Sequence, residues 1–169
     1  MATSNPSAFP LWAAVIGAAL AFIANTALRV WQYNRDQWIG RVDWFCENVE
    51  RAADLGTEYW SPSDEGIDGA LAGKILGREI LLDGILATLS NKLLPEDIPR
   101  LHARMSDFRN ALTGGAFQSS AVTADLDRAR EIQSTASDLL IAVRRAADGA
   151  ISPAALLGFP SRQHTDEPS

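Results

Sequence analysis

The sequence predicts an all-α protein in which a single N-terminal transmembrane helix continues into an antiparallel helical bundle of about four helices. Three observations predict it. An uncharged apolar block fills most of the first thirty residues, apolar residues further along recur at helical spacing, and no segment sustains the alternation of a strand. The expected organisation is a short N-terminal tail (1–9), a transmembrane helix (10–28), a helical bundle domain (29–150) and a C-terminal tail (151–169), the last polar and disordered at its end.

From Ala8 to Ala24 no charged side chain occurs, and continuing through Asn25 and Thr26 to Leu28 gives an apolar stretch of about 20 residues, the length that crosses ~30 Å of hydrocarbon. Pro10 sits where a first helical turn tolerates proline. Trp12 at one end, with Trp31 and Tyr33 at the other, occupy positions suited to the aromatic belts of a bilayer. The residues before Pro10 carry no Lys or Arg, so the basic start of a cleaved signal peptide is missing and the block is expected to stay attached. Arg29, Arg35 and Arg41 follow the span closely, which predicts the N-terminus outside and the C-terminal domain in the cytoplasm. Only Lys74 and Lys92 are lysines, a usage that suits a GC-rich bacterial genome and hence a bacterial inner membrane.

Within the span, Ala13, Gly17, Ala21 and Asn25 recur every fourth residue. Such a stripe of small residues lets two helix backbones approach, with the Asn25 amide able to hydrogen-bond across the contact. It serves either self-association or docking on another membrane protein, or it is the spacing that an alanine-rich span produces by chance.

Neither proline nor an interior glycine stops the helix between Ala18 and Ile39, so the span is expected to run into the first bundle helix, past Gly40 and Gly56, to about Trp60. Trp31, Trp38, Val42, Phe45, Val49, Ala52 and Tyr59 supply its buried stripe. Ser61-Pro62-Ser63-Asp64 reads as the start of a second helix reaching Ser90 or Asn91, with Ile67, Leu71, Ile75, Leu82, Ile85, Leu86 and Leu89 on its core face. A second stripe, Gly66, Gly69, Gly73, Gly77 and Gly84, projects from another side of that helix. Each interior glycine costs about 1 kcal/mol relative to alanine, so something is expected to approach that face closely. The bundle's own packing is the favoured explanation, and an interface with another subunit the alternative.

Leu94-Pro95-Glu96-Asp97 breaks the chain, after which Ile98, Leu101, Met105, Phe108 and Leu112 repeat three and four apart up to the Gly114-Gly115 stop. Val122, Leu126, Ala129, Ile132, Ala136, Leu139, Leu140 and Val143 give a fourth amphipathic helix ending near Gly149, with Arg144 and Arg145 placed for its negative C-terminal dipole. Beyond it, Ile151 to Pro160 is apolar and is expected either to lie over the bundle or to enter a partner's groove.

Chemistry is sparse. Acidic residues outnumber basic ones by 21 to 15, a net charge of −6, which excludes the basic face that phosphate backbones require, so no nucleic acid is expected. The single cysteine, Cys46, forbids an internal disulfide and a cysteine zinc cluster. It reads as a small buried hydrophobe. Gly69 to Lys74 fails as a phosphate loop, having three residues between its glycines and Ile75 where Ser or Thr is needed. His102 has no Glu or His at the spacing of a helical metal motif, His164 has Glu167 three residues on but in a tail expected to be unstructured, and Asp64/Glu65 and Glu96/Asp97 suit helix starts. The sequence therefore predicts no catalytic residues, no metal and no cofactor. It leads to a membrane-anchored, non-enzymatic interaction or scaffold protein that self-associates or meets another membrane protein. An oligomerising effector that perturbs the membrane, or an accessory subunit of a larger complex, is the alternative.

Overall fold

The structure, a computed structural model, describes residues 8–61, 69–115, 117–118 and 124–151. All four elements among them are helices: α1 (Ala8–Trp60), α2 (Gly69–Ser90), α3 (Asp97–Thr113) and α4 (Leu126–Ala150). The chain divides into two compact units, residues 1–38 and 39–169, taken here in turn.

The first unit is helix throughout its described part, and every described side chain from Trp12 to Gln37 is exposed. Trp31, expected as the first member of a buried stripe, is among the exposed residues and carries the Arg35 guanidinium 5.7 Å from its ring centroid.

In the second unit, α1 continues from Ile39 to Trp60 and supplies Val42, Phe45, Cys46, Val49, Ala52, Ala53, Tyr59 and Trp60 to the core. Leu71, Ala72, Ile75, Leu82, Ile85, Leu86 and Leu89 enter from α2. Leu101, Met105, Phe108, Ala111 and Leu112 enter from α3. The contribution of α4 is Ala129, Ile132, Ala136, Leu139, Val143, Ala146 and Ala147. Each large apolar side chain buried this way stabilises the fold by about 1.5–3 kcal/mol. Leu126, expected in the core, is instead exposed at the first position of α4. Ile67 and Val122 lie outside the described residues.

The register follows from the polar contacts. Between α3 and α4, Arg104 meets Asp138 at 3.3 Å while Arg128 reaches back to Ala111 and Asn110. Between α2 and α3, Arg109 pairs with Asp83 and Thr113 donates to Glu79 at 3.0 Å. Between α1 and α4, Gln133 donates to Thr57 at 2.8 Å, and Arg144 lies against Cys46. Residue numbers rise along one helix of each pair as they fall along the other, so these neighbours are antiparallel.

One glycine is required by packing. A Cβ on Gly56 would stand 2.5 Å from Leu112 Cδ2 and 3.1 Å from Ile132 Cδ1, so α1 packs closely against side chains of α3 and α4 at this position.

The chain ends of α1 and α3 and the start of α4 are locked together. Trp60 Nε1 donates to Leu112 O at 3.0 Å, and Asp125 N donates to Trp60 O at 2.8 Å. Asp125 caps α4 by accepting from Arg128 N at 2.9 Å. Arg128 then stacks 4.5 Å over Trp60 and donates to the Ala111 and Asn110 carbonyls at the end of α3, at 2.9 and 2.7 Å, the Asn110 oxygen also accepting from Gly114 N at 3.0 Å. This arginine fills the space beside Gly114 and Gly115, where a Cβ would stand 2.6 and 2.7 Å from its guanidinium nitrogens, and Gly115 has φ +68°.

α4 ends at Ala150, within one residue of the expected end near Gly149, but Arg144 and Arg145 stand before its last turn, and Arg144 lies against Cys46.

Candidate functional site

Because α1 has no proline after Pro10, its apolar block forms one uninterrupted helical surface. Trp12, Val15, Ile16, Leu20, Phe22, Ile23, Leu28 and Val30 are all at least half exposed, and at 3.6 residues per turn they span about 240° of the helix circumference. Ala13, Gly17, Ala21 and Asn25 share one side of it, spread over about 120° at 3.6 residues per turn. A Cβ on Gly17 would meet nothing within 4 Å. Thr26 donates to Phe22 O at 2.8 Å, so its hydroxyl is satisfied inside the helix. At the polar end Gln37 donates to Tyr33 Oη at 2.6 Å.

The second unit carries an uncovered face of its own. Gly69, Gly73, Gly77 and Gly84 are exposed, and a Cβ on any of them would meet nothing within 4 Å among the described residues. The expectation that the bundle's own packing explains this stripe is therefore corrected. The glycines lie opposite the core stripe of α2, which already occupies the side facing α1 and α3. Gly66 lies outside the described residues. Ile80 was missed by the sequence reading. It projects about 180° from the middle of the core face, in the midst of the glycines, and is 75% exposed. Leu76 and Ala87 border the same strip. The signal was present, since Ile80 is a large apolar residue off the core stripe, but glycine spacing drew attention away from it. The helix is apolar nearly all round, a pattern expected of one covered on both sides.

Along one edge of this face, Leu55, Lys74, Gly77, Arg78 and Leu81 line an open groove of about 380 Å³. Arg78 is fixed there by Asn48, a buried side chain of α1 whose Oδ1 accepts from Arg78 at 2.5 Å while its Nδ2 donates to Trp44 O at 2.7 Å. No simple hydrophobic periodicity would find this pair, because Asn48 interrupts the apolar stripe. The groove presents the positive charges of Lys74 and Arg78.

Elsewhere the titratable groups are structural. Burial pushes the Cys46 thiol up, a shift that the hydrogen bond and positive charge of Arg144 partly oppose and that Asp43 and Glu50 add to. Burial also raises Glu79, against the Thr113 hydrogen bond and the Arg109 charge, with Asp83 adding to the rise. His102 is exposed. Among the described residues no three His, Cys, Asp or Glu side chains are grouped to hold a metal ion.

Compared with protein-family models, characterised proteins and solved structures, the chain matches none. What the residues themselves provide is two uncovered helix faces, one in each unit.

Proposed function

We propose that the protein is a membrane-anchored, non-enzymatic interaction protein. Residues 10–28 of α1 span a lipid bilayer, and the helical bundle stands in water as a docking unit. The observation that carries this reading is the first unit's surface: a helix with an 18-residue apolar window of mean hydropathy 1.7, none of which is buried. Apolar area on that scale is unfavourable in water and exceeds the few hundred Å² that a soluble monomer tolerates in one patch. A bilayer removes the whole of it from water and leaves no backbone group unpaired, because the segment is helical throughout.

On this reading the bundle stands on the cytoplasmic side of a bacterial inner membrane, an orientation favoured by Arg29, Arg35 and Arg41 just beyond the span. Self-association runs through Ala13, Gly17, Ala21 and Asn25, where small side chains admit a second helix backbone. Another membrane protein presenting a similar stripe is the competing occupant of that face.

The test is expression of the full chain followed by membrane fractionation and crosslinking in the intact membrane. The chain is expected in the pellet, resistant to high-salt washing, with a crosslinked species at a multiple of the chain mass that Gly17→Leu removes. Recovery of the chain in the detergent-free supernatant would refute the anchor. A monomer that crosslinks to nothing would refute the interaction role.

A further inference from the structure

We propose that the groove between α1 and α2 binds the oxyanion head of an anionic amphiphile, with Lys74 and Arg78 on the head and Leu55 and Leu81 on the start of its aliphatic chain. Lys74 and Arg78 stand four residues apart on α2 and so project from one side of it, with Leu81 a turn further on. Leu55 lines the same groove from α1, and Gly77 adds backbone to the lining without a side chain to fill the space.

The charges carry the argument. Arg78 is half-buried, and the acceptor that the bundle gives it is neutral, Asn48 Oδ1 at 2.5 Å. Asn48 is itself 2% exposed and commits its Nδ2 to Trp44 O, so it holds the guanidinium in place without neutralising it. A guanidinium has five N–H donors, most of which this contact leaves to a ligand or to water. Among the described residues carboxylates pair with Arg51, Arg104, Arg109 and Arg130, and none pairs with Lys74 or Arg78. Carboxylates are not scarce, since acidic residues outnumber basic ones by 21 to 15. Two like charges four residues apart on a helix repel, and partial burial strips water from one of them. An anion seated between them removes both costs.

The rest of the lining selects the kind of anion. The planar fork of arginine meets a carboxylate or phosphate with two parallel hydrogen bonds, and the lysine ammonium adds a compact charge. Leu55 and Leu81 are each partly exposed, an apolar surface that a bare inorganic ion would leave in water. A volume of about 380 Å³ is at the small end of ligand sites, enough for a head group and the first carbons of a chain that leaves by the open side. All five lining residues belong to the second unit, so the site does not depend on the anchor, although a bilayer is one source of such amphiphiles.

The experiment reads the site directly, because Lys74 and Lys92 are the only lysines. The full chain, in phosphatidylcholine nanodiscs, is acylated by a small N-hydroxysuccinimide ester, and the rate at each lysine is followed by peptide mass spectrometry. Octyl phosphate is expected to slow Lys74 several-fold and to leave Lys92 unchanged. Inorganic phosphate and octyl glucoside, which carry the head or the chain alone, are expected to protect Lys74 far less. Equal protection by inorganic phosphate overturns the amphiphile, and equal slowing of both lysines overturns the site. Arg78→Gln is expected to abolish the protection, and its retention overturns the proposal. Because Arg78 also braces α1 against α2, Gly77→Leu serves as a second variant. A Cβ there meets nothing within 4 Å, so the leucine fills the groove and leaves the bundle undisturbed. Measured against the same variant without ligand, protection is expected to vanish, and undiminished protection overturns the site. Replacing part of the nanodisc lipid by phosphatidylglycerol distinguishes the sources. Slowing of Lys74 without octyl phosphate, reversed by Gly77→Leu, assigns the head to the bilayer, and no slowing assigns it to a free amphiphile. A chain that stays out of the nanodiscs counts against the anchor alone, since the same labelling then runs in buffer.

Discussion

Replacing glycine by alanine should have opposite effects on the two sides of the bundle. At Gly73, Gly77 and Gly84 an added methyl meets nothing within 4 Å among the described residues, so only the helix-propensity gain applies. That gain is about 0.5–1 kcal/mol per position, hence roughly 1.5–3 kcal/mol for the triple variant. At Gly56 the same methyl meets Leu112 Cδ2 at 2.5 Å and Ile132 Cδ1 at 3.1 Å, and both side chains are fully buried. Overpacking of a core costs about 1–3 kcal/mol, which outweighs the propensity gain and leaves Gly56→Ala destabilised by up to about 2 kcal/mol. Urea unfolding of the full chain in mild detergent, followed by far-UV circular dichroism, separates the two cases. A triple variant less stable than the parent, or a Gly56→Ala variant more stable than it, would refute this account of which glycines are there for close packing.

Three further outcomes are expected. Asn48→Ala leaves the half-buried Arg78 guanidinium without its acceptor and should destabilise the bundle by about 1–2 kcal/mol in the same assay; a loss below about 0.3 kcal/mol would show that water replaces the amide freely. Glu79 is raised by burial, so its charged form disfavours the folded state. Its penalty is present at neutral pH and is relieved as pH falls through the raised folded value toward the ordinary carboxyl range. Glu79→Gln should therefore stabilise the protein at neutral pH and converge with the parent in acid, and a constant difference across that range would contradict it. In the span, Leu20→Arg places a charge near the bilayer centre at a cost of about 2.5–3.5 kcal/mol, and should shift a large part of the chain out of the membrane pellet; undiminished recovery in the pellet would count against the placement of residues 10–28.

Much of the fold was legible because core packing leaves a periodic trace. The six described members of the predicted α2 stripe, Leu71 to Leu89, are all buried, as are Leu101, Met105, Phe108 and Leu112 on α3. The helix ends were less legible. Leu126 is apolar and falls on the right period, yet Asp125 caps the helix just before it, so it is exposed at the first turn. The end of α4 fell within one residue of Gly149 as read, yet Arg144 and Arg145 stand before the last turn, and the contact of Arg144 with Cys46 joins two helices that no periodicity relates. The polar pairs that fix register, Asn48 with Arg78 and Arg128 with Trp60, leave no trace in one dimension, since each joins residues of different helices. For the candidate faces the sequence located the small residues but could not say which way they look. That depends on which side of α2 the other helices occupy, which no property of α2 alone decides.

The seat of Arg128 also constrains how the sequence can drift. Its guanidinium occupies the volume that side chains at positions 114 and 115 would need, and it donates to two carbonyls at the end of α3. A lineage that keeps the arginine is confined to glycine at both positions. One that loses it still meets the backbone, because a Cβ at position 114 would stand 2.5 Å from the Asn110 carbonyl oxygen and position 115 has φ +68°. In related chains the two glycines should therefore outlast the arginine, persisting where position 128 has been replaced.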